Sequence, residues 1–233
     1  MDILTIKNVD LTYQSLLGET QALKNFSLSV KSGQFVSIVG PSGCGKTTIL
    51  SLIAGLLSPT SGEITLNGTS VGKKGTNQVG YMLQRDQLFE WRTILANVLL
   101  GAEIQKQHNR DCENYAKKLL EKYGLGEFTN RYPRELSGGM RQRVALIRTL
   151  VLRPEVLLLD EPFSALDFQT RLSVCDDVYS IIKKENKTAI LVTHDISEAI
   201  SMSDKIVVLT PRPATVKCVF DVNFSQKTPL LRR

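Results

Sequence analysis

Between Gly40 and Thr47 the chain reads Gly40-Pro41-Ser42-Gly43-Cys44-Gly45-Lys46-Thr47, which sets glycines, a lysine and a hydroxyl in the spacing GxxxxGK[ST]. These residue types together can hold a polyphosphate. Glycines let the backbone bend until successive N–H groups point inward at phosphate oxygens. A helix starting where the loop ends adds uncommitted amides and the positive end of its dipole. Lys46 offers a point charge to β- and γ-phosphates, and the Thr47 hydroxyl offers oxygen to Mg²⁺. Thr48 completes the candidate phosphate set. A chance glycine-rich turn would lack flanking elements, but here the apolar run Phe35 to Val39 enters the loop and the helical pattern TTILSLIAGLL leaves it.

A second pair of chemical groups lies far along the chain. Leu157-Leu158-Leu159-Asp160-Glu161 puts two acids at the end of an apolar run. A buried carboxylate is costly without a partner or a task. Asp160 suits Mg²⁺, directly or through water. Glu161 suits a general base polarising the water that attacks a γ-phosphate, a role typically worth about 10²- to 10⁴-fold. Acids that merely cap a strand are common, so the pair gains meaning from the phosphate loop beside it.

The elements that must position these groups follow from the hydrophobic pattern. Leu4 to Val30 alternates as strands do, with a polar stretch, Gln14 to Thr20, predicted as a loop. Short β-rich runs recur at Glu63 to Asn67, Val79 to Leu83, Glu155 to Leu159, Thr188 to Val192 and Lys205 to Leu209. Unbroken Val/Ile/Leu runs alternating with helices predict an α/β fold, its mostly parallel sheet buried on both faces. The middle differs. Cys112, Tyr115, Ala116, Leu119, Leu120 and Tyr123 fall on one face of a helix, with Gly124 as its C-terminal cap. Another helix is predicted near Ser137, whose hydroxyl can cap its amides. The chain thus reads as one domain: an α/β core of residues 1–84 and 151–233, and a helical lobe of residues 85–150 inserted between.

Composition bounds the function classes. A chain of 233 residues, 42% hydrophobic and 22% charged, is an ordinary globular domain able to bury a core. No run approaches about eighteen apolar residues, so nothing is predicted to span a bilayer. The N-terminus, MDILTIKNVDLTY, has a strand pattern and not that of a signal peptide. Cys44, Cys112, Cys175 and Cys218 form no CxxC pair and read as free thiols in a reducing cytosol. Only His108 and His194 are histidines, which disfavours a His-rich metal site. The net charge of +6 is spread, without the dense basic run that nucleic-acid binding needs, and suits a surface facing anionic lipid. The C-terminal Lys227 and Leu230-Leu231-Arg232-Arg233 read as a solvated tail.

A phosphate loop and an acid-ended strand describe many NTPases. Leu136-Ser137-Gly138-Gly139-Met140-Arg141-Gln142-Arg143 is more discriminating, for it resembles the signature motif of ATP-binding cassette proteins. A serine and two glycines starting a helix make another anion-binding N-terminus. The resemblance assigns Ser137, Gly138 and Gly139 to the nucleotide of a second chain, implying a head-to-tail homodimer, or a pair of cassette subunits, with two ATP and Mg²⁺ between. It implies a P-loop NTPase core with a mostly parallel sheet, an N-terminal antiparallel β region and the inserted helical lobe. Gln84 resembles the glutamine that touches Mg²⁺ and the attacking water. Ser164-Ala165-Leu166-Asp167 resembles the loop coupling the two sites, His194 the switch histidine at the γ-phosphate, and Tyr13 the aromatic that stacks on adenine.

A single unfused cassette resembles importer subunits that drive a separate integral membrane permease from the cytoplasmic face, where a solute-binding protein delivers cargo on the other side. Leu88-Phe89-Glu90-Trp91-Arg92-Thr93-Ile94-Leu95-Ala96-Asn97-Val98 and Leu209-Thr210-Pro211-Arg212-Pro213 resemble the nitrate/sulfonate/taurine group, whose relatives include thiamine-precursor-like solutes. Glu90 departs from that group, which has proline there. Phe89 and Trp91 either pack inside the lobe or stand exposed to anchor a permease helix. Two other classes are a soluble cassette switch acting on nucleic acid or the ribosome, and a RecA-like motor. The first lacks its long insertion or tandem cassettes, and the second leaves residues 136–143 and His194 unexplained.

Overall fold

In the computed structural model, residues 1–16, 18–72, 77–224 and 229–232 are described. The chain opens with a hairpin, β1 (Asp2–Ser15) and β2 (Gly18–Lys31). It continues through β3 (Phe35–Val39), α1 (Lys46–Ile53), β4 (Ser61–Leu66), β5 (Thr69–Ser70) and β6 (Val79–Met82). Three helices follow, α2 (Ile94–Ile104), α3 (Arg110–Lys122) and α4 (Gly138–Leu150). The last third alternates as β7 (Val156–Asp160), α5 (Phe168–Lys184), β8 (Thr188–Thr193), α6 (Ile196–Met202), β9 (Lys205–Leu209) and β10 (Val216–Asp221). Two sheets result. One, ordered β2-β1-β4-β5, is antiparallel; the other, β10-β9-β3-β8-β7-β6, is parallel except for β10.

Every residue of β3, β7 and β8 is buried, as their largely apolar composition favours. Strand alternation then sorts their side chains onto two faces. Phe35, Leu157, Leu159, Ala189 and Leu191 pack with Val98, Leu120, Leu146 and Val178 from the four helices α2 to α5. Val36, Ile38, Val156, Leu158, Ile190 and Val192 pack with residues of β1, β2, β4 and α1. The helices between residues 85 and 150 therefore share a core with the sheet.

Local departures from the sequence reading have local causes. The stretch from Gln14 to Thr20 is mostly strand, because Tyr13 pairs with Thr20 and Gln14 with Glu19 across the hairpin. Pairing satisfies those backbone groups despite weak β propensity. Helix α1 stops at Ile53 and not at Leu57, since Gly55 takes φ +70° and ends the winding. Periodicity does not reveal α2, whose apolar residues run nearly all round it as in a buried helix. Helices α3 and α4 lie where the pattern puts them, with Gly124 at φ +74° after α3 and Ser137 capping α4. The tail reading needs correction: in the turn Pro229–Arg232, the Arg232 guanidinium donates to the Ser201 carbonyl at 3.1 Å and stacks over Tyr179 at 5.2 Å. A planar guanidinium finds an aromatic face more favourable than open water alone. Lys227 and Arg233 lie outside the described residues. Among the described residues no helix is long and apolar enough to cross a membrane.

One buried polar side chain organises the entry to α2. Asn97, 0% exposed, donates through Nδ2 to the carbonyls of Phe89, Arg92 and Thr93, each at 3.0 Å. Its Oδ1 accepts the Phe89 N–H at 2.7 Å. Asn97→Ala leaves those groups unpaired in the interior and is expected to cost roughly 2–4 kcal/mol. A urea titration reads this as a lowered midpoint at unchanged slope; an unchanged midpoint would show that water replaces the amide.

Candidate active site

Parallel register brings the carboxyl ends of several strands to one edge. Val39 pairs with Thr193, and Asp160 with Val192. The loops after β3, β7 and β8 therefore emerge side by side, with the loop after β6 next to that of β7. Open parallel sheets bind ligands at this edge.

Residues 40–47 leave β3 and turn into α1. Gly43 and Gly45 take φ of +73° and +122°, conformations that a side chain would strain. Lys46, 6% exposed, donates from Nζ to the carbonyls of Gly40 and Pro41, both at 3.0 Å. Cys44 is buried behind the loop and contributes packing. Ser42, Gly43, Gly45, Lys46, Thr47 and Thr48 line a cavity of about 390 Å³ together with Gln84, Asp160, Glu161 and Arg212. The two chemical groups read from distant parts of the sequence thus share one cavity.

Asp160 is the buried member of the acid pair. Thr47 donates to its Oδ1 at 3.2 Å, and Tyr81 donates to its Oδ2 at 3.2 Å. Burial pushes the Asp160 carboxyl above the ordinary aspartate value, the two hydrogen bonds oppose that shift, and the charge of Glu161 adds to it. Burial, followed by the charge of Asp160, also drives the Tyr81 hydroxyl far upward. Glu161 continues the ladder by one residue, its N–H donating to the Val192 carbonyl at 2.8 Å, but at φ +45°. That twist aims its carboxylate at His194, whose Nδ1 lies 3.1 Å from Oε2. Gln84 Nε2 donates to Ser164 Oγ at 3.3 Å, and Ser164 Oγ donates to the Glu161 carbonyl at 3.0 Å. Carboxylates, an amide and an ammonium thus line one polar space, with the His194 imidazole against one of the carboxylates, a set able to orient water against a bound phosphate.

Tyr13, 39% exposed, places its hydroxyl 3.1 Å from Thr48 Oγ1, so its ring stands beside the start of α1. The segment Ser137-Gly138-Gly139 is not brought to this cavity. Ser137 caps α4 by accepting the Met140 N–H at 3.3 Å. A Cβ on Gly139 would sit 2.7 Å from Val174 Cγ2, and one on Gly138 would sit 3.1 Å from Leu166 Cδ2, so a larger residue at either position would require those side chains to shift. Gly138 lines a separate cavity of about 520 Å³ with Arg85, Asp86, Arg141 and Leu166 among others. Asp167 caps α5 through the Thr170 N–H at 3.0 Å, and that bonding holds its carboxyl below the usual range.

Several participants escape the sequence reading. Tyr81 and Arg212 lack any local motif for these roles. Arg141 Nε donates to Asp86 Oδ2 at 2.8 Å and its Nη2 to Glu90 Oε1 at 2.8 Å. Glu90, where the resembled group has proline, thus has a partner on α4. Arg148 adds bonds to the carbonyls of Gln87 at 2.7 Å and Asp86 at 2.6 Å. Phe89 and Trp91 do not pack inside: their rings stack at 4.8 Å on the surface, Trp91 75% exposed.

A family profile described as ABC transporter matches residues 23–164. The chain belongs to the ABC transporter family. An uncharacterised ABC transporter ATP-binding protein of Bacillus subtilis, YtlC, is 48% identical over 95% of this chain and 85% of its own. The taurine import ATP-binding protein TauB of Ruegeria pomeroyi is 41% identical over 93% of this chain and 81% of its own. The nitrate import ATP-binding protein NrtD of Synechocystis is 39% identical over 97% and 85%. Among solved structures, the dimeric post-hydrolysis state of the ATP-binding cassette MJ0796 with ADP and Pi superposes with a TM-score of 0.78. It is 31% identical, covering 95% of this chain and 99% of that one. This ABC protein is accordingly an ATP-binding subunit of the importer-like kind, and an ATPase.

Asp160 gives this cassette a testable pH dependence. Its folded-state pKa lies above the unfolded value, so the native state holds its proton more tightly and the ionised group costs stability as pH rises. Asp160→Asn is therefore expected to raise the melting temperature of the nucleotide-free protein at pH 7, and the gain should fade as pH falls toward about 4. A lowered melting temperature at pH 7 would mean that the bonds from Thr47 and Tyr81 outweigh burial.

Proposed function

We propose that this ABC subunit works as one of a pair of identical chains arranged head to tail, hydrolysing ATP with Mg²⁺ to power uptake of a small solute through a separate permease. What supports the reading is that Gly138, at the α4 N-terminus, lines a cavity other than the one lined by Lys46, Asp160 and Glu161. A second chain can bring its own Ser137, Gly138 and Gly139 to the γ-phosphate. Thr47 Oγ1 and Asp160 Oδ1, with Gln84 on the same cavity, are hard oxygen donors that fit Mg²⁺, an ion that keeps waters and phosphate oxygens. When bound, the ion would neutralise β- and γ-oxygens.

In this reading Lys46 and the loop amides hold the polyphosphate, and Tyr13 stacks on adenine. Pro41, Ser42, Gly43, Cys44 and Gly45 shape the loop around the β-phosphate, and Thr48 lies along it. Glu161 takes a proton from the attacking water, oriented by Gln84, while His194 and Lys46 stabilise charge on the departing phosphate. Asp167, at the start of α5, sits where the two chains would meet. The lobe of residues 85–150 rocks against the core, and Phe89 and Trp91 supply an aromatic anchor for a permease helix at the cytoplasmic face of the membrane. The similarity to TauB and NrtD supports taurine-, nitrate- or sulfonate-like solutes, delivered by a solute-binding protein.

Glu161→Gln should lower hydrolysis at least about 100-fold and accumulate a dimer in MgATP by gel filtration. Hydrolysis at the wild-type rate would remove Glu161 from the role of base. A gentle-detergent pull-down from the native host should recover an integral membrane permease with the tagged chain. Recovery of only soluble or ribosomal proteins would sink the importer reading and leave the ATPase standing.

A further inference from the structure

The turn between β9 and β10 reaches back to the phosphate loop. Thr210 Oγ1 accepts the Thr215 N–H at 2.9 Å, tightening residues 210–215. Ala214 donates to the Ala22 carbonyl at 2.9 Å and accepts from Lys24 N–H at 3.1 Å, so the turn is pinned to β2. From its tip Arg212 crosses to the loop, where Nη2 donates to the Gly43 carbonyl at 2.7 Å. The same side chain walls the cavity shared by Lys46, Asp160 and Glu161. No carboxylate pairs with Arg212 among the described residues.

Guanidinium carries five N–H donors in a rigid fork suited to phosphate. The single bond to Gly43 fixes one arm and leaves the remaining donors for another acceptor. Charge around the cavity points to what that acceptor is. Lys46 and Arg212 are its cations, and Asp160 and Glu161 are its carboxylates. Without Arg212 an incoming polyphosphate would face two carboxylates and one lysine.

We propose that Arg212 is a second cation of the ATP site, held over the phosphate loop by the Gly43 carbonyl and binding the polyphosphate through the rest of its fork. This rests on ATP binding and is independent of what is transported. A clamp alone and a phosphate ligand make different demands on the side chain. Glutamine can still donate to the Gly43 carbonyl but carries no charge, whereas lysine keeps the charge.

The test compares wild type with Arg212→Lys, Arg212→Gln and Arg212→Ala by titration with ATP and ADP at several salt concentrations. Gln and Ala are expected to weaken both nucleotides about tenfold, the scale of one charge-assisted hydrogen bond. Their binding should also depend less steeply on salt. Lysine should restore most of the affinity, and in hydrolysis the loss should fall on KM, with kcat little changed. Unchanged melting temperatures without nucleotide would accompany these results. If glutamine bound ATP as wild type does while alanine did not, Arg212 would be a clamp only. If all four bound alike, it would have no part in the site.

Discussion

The hydrogen bond from Thr47 to Asp160 joins parts of the chain 113 residues apart, and the site depends on it. A carboxylate at the end of a fully buried strand is stable only if its surroundings supply donors. Two elements do so. Thr47 comes from the first turn of α1, and Tyr81 from β6, which lies in register with Leu158 on β7. Satisfying Asp160 therefore locks α1, β6 and β7 together, and the phosphate loop is the only way into α1. The phosphate loop and the acid-ended strand are thus held together by the same bonds that make a buried acid tolerable.

Glu161 shows how little separates an acid held inside the sheet from one turned toward the cavity. One residue beyond Asp160, it keeps a ladder bond to Val192 but adopts a left-handed backbone. For a residue with a Cβ that conformation costs on the order of 1–2 kcal/mol. The strained backbone sets a direction: the carboxylate leaves the strand line, where Leu157 and Leu159 point into the core, and turns to His194. Strain of this kind persists where neighbours over-determine it. Here the ladder bond on one side and the Ser164 hydroxyl on the carbonyl do so.

Legibility in the sequence tracks the range of the interaction. The loop from Gly40 to Thr47 and the acids after Leu159 are readable because each is local, a spacing or a run that ends. The parallel sheet is readable because burial on both faces leaves no polar alternation in β3, β7 or β8. Tyr81 is not, since an aromatic in a short strand carries no sign of the carboxylate it will meet on a neighbour. Glu90 reads as a departure from a pattern until Arg141, 51 residues later, is folded against it. Arg212 reads only as part of the Leu209 to Pro213 resemblance until β9 lies beside β3. Helix α2 is hidden for the opposite reason, being apolar on too many sides to show a period.

The segment between β6 and α2 is attached at both ends by bonds of unequal kind. Toward the nucleotide it holds through Gln84, a neutral amide donating to Ser164 at 3.3 Å. Toward α4 it holds through the Arg141 guanidinium on Asp86 and Glu90, and through Arg148 on two carbonyls. Charge-assisted bonds are roughly twice as strong as neutral ones. Asn97 then fixes residues 89 to 93 to α2, with Trp91 left outward. The aromatic pair on the surface is therefore rigidly part of the helical side, and its link to the nucleotide is the weaker one. A movement of the helices relative to the phosphate-loop cavity would carry Phe89 and Trp91 with it, and the contact weakest against such a movement is Gln84 on Ser164.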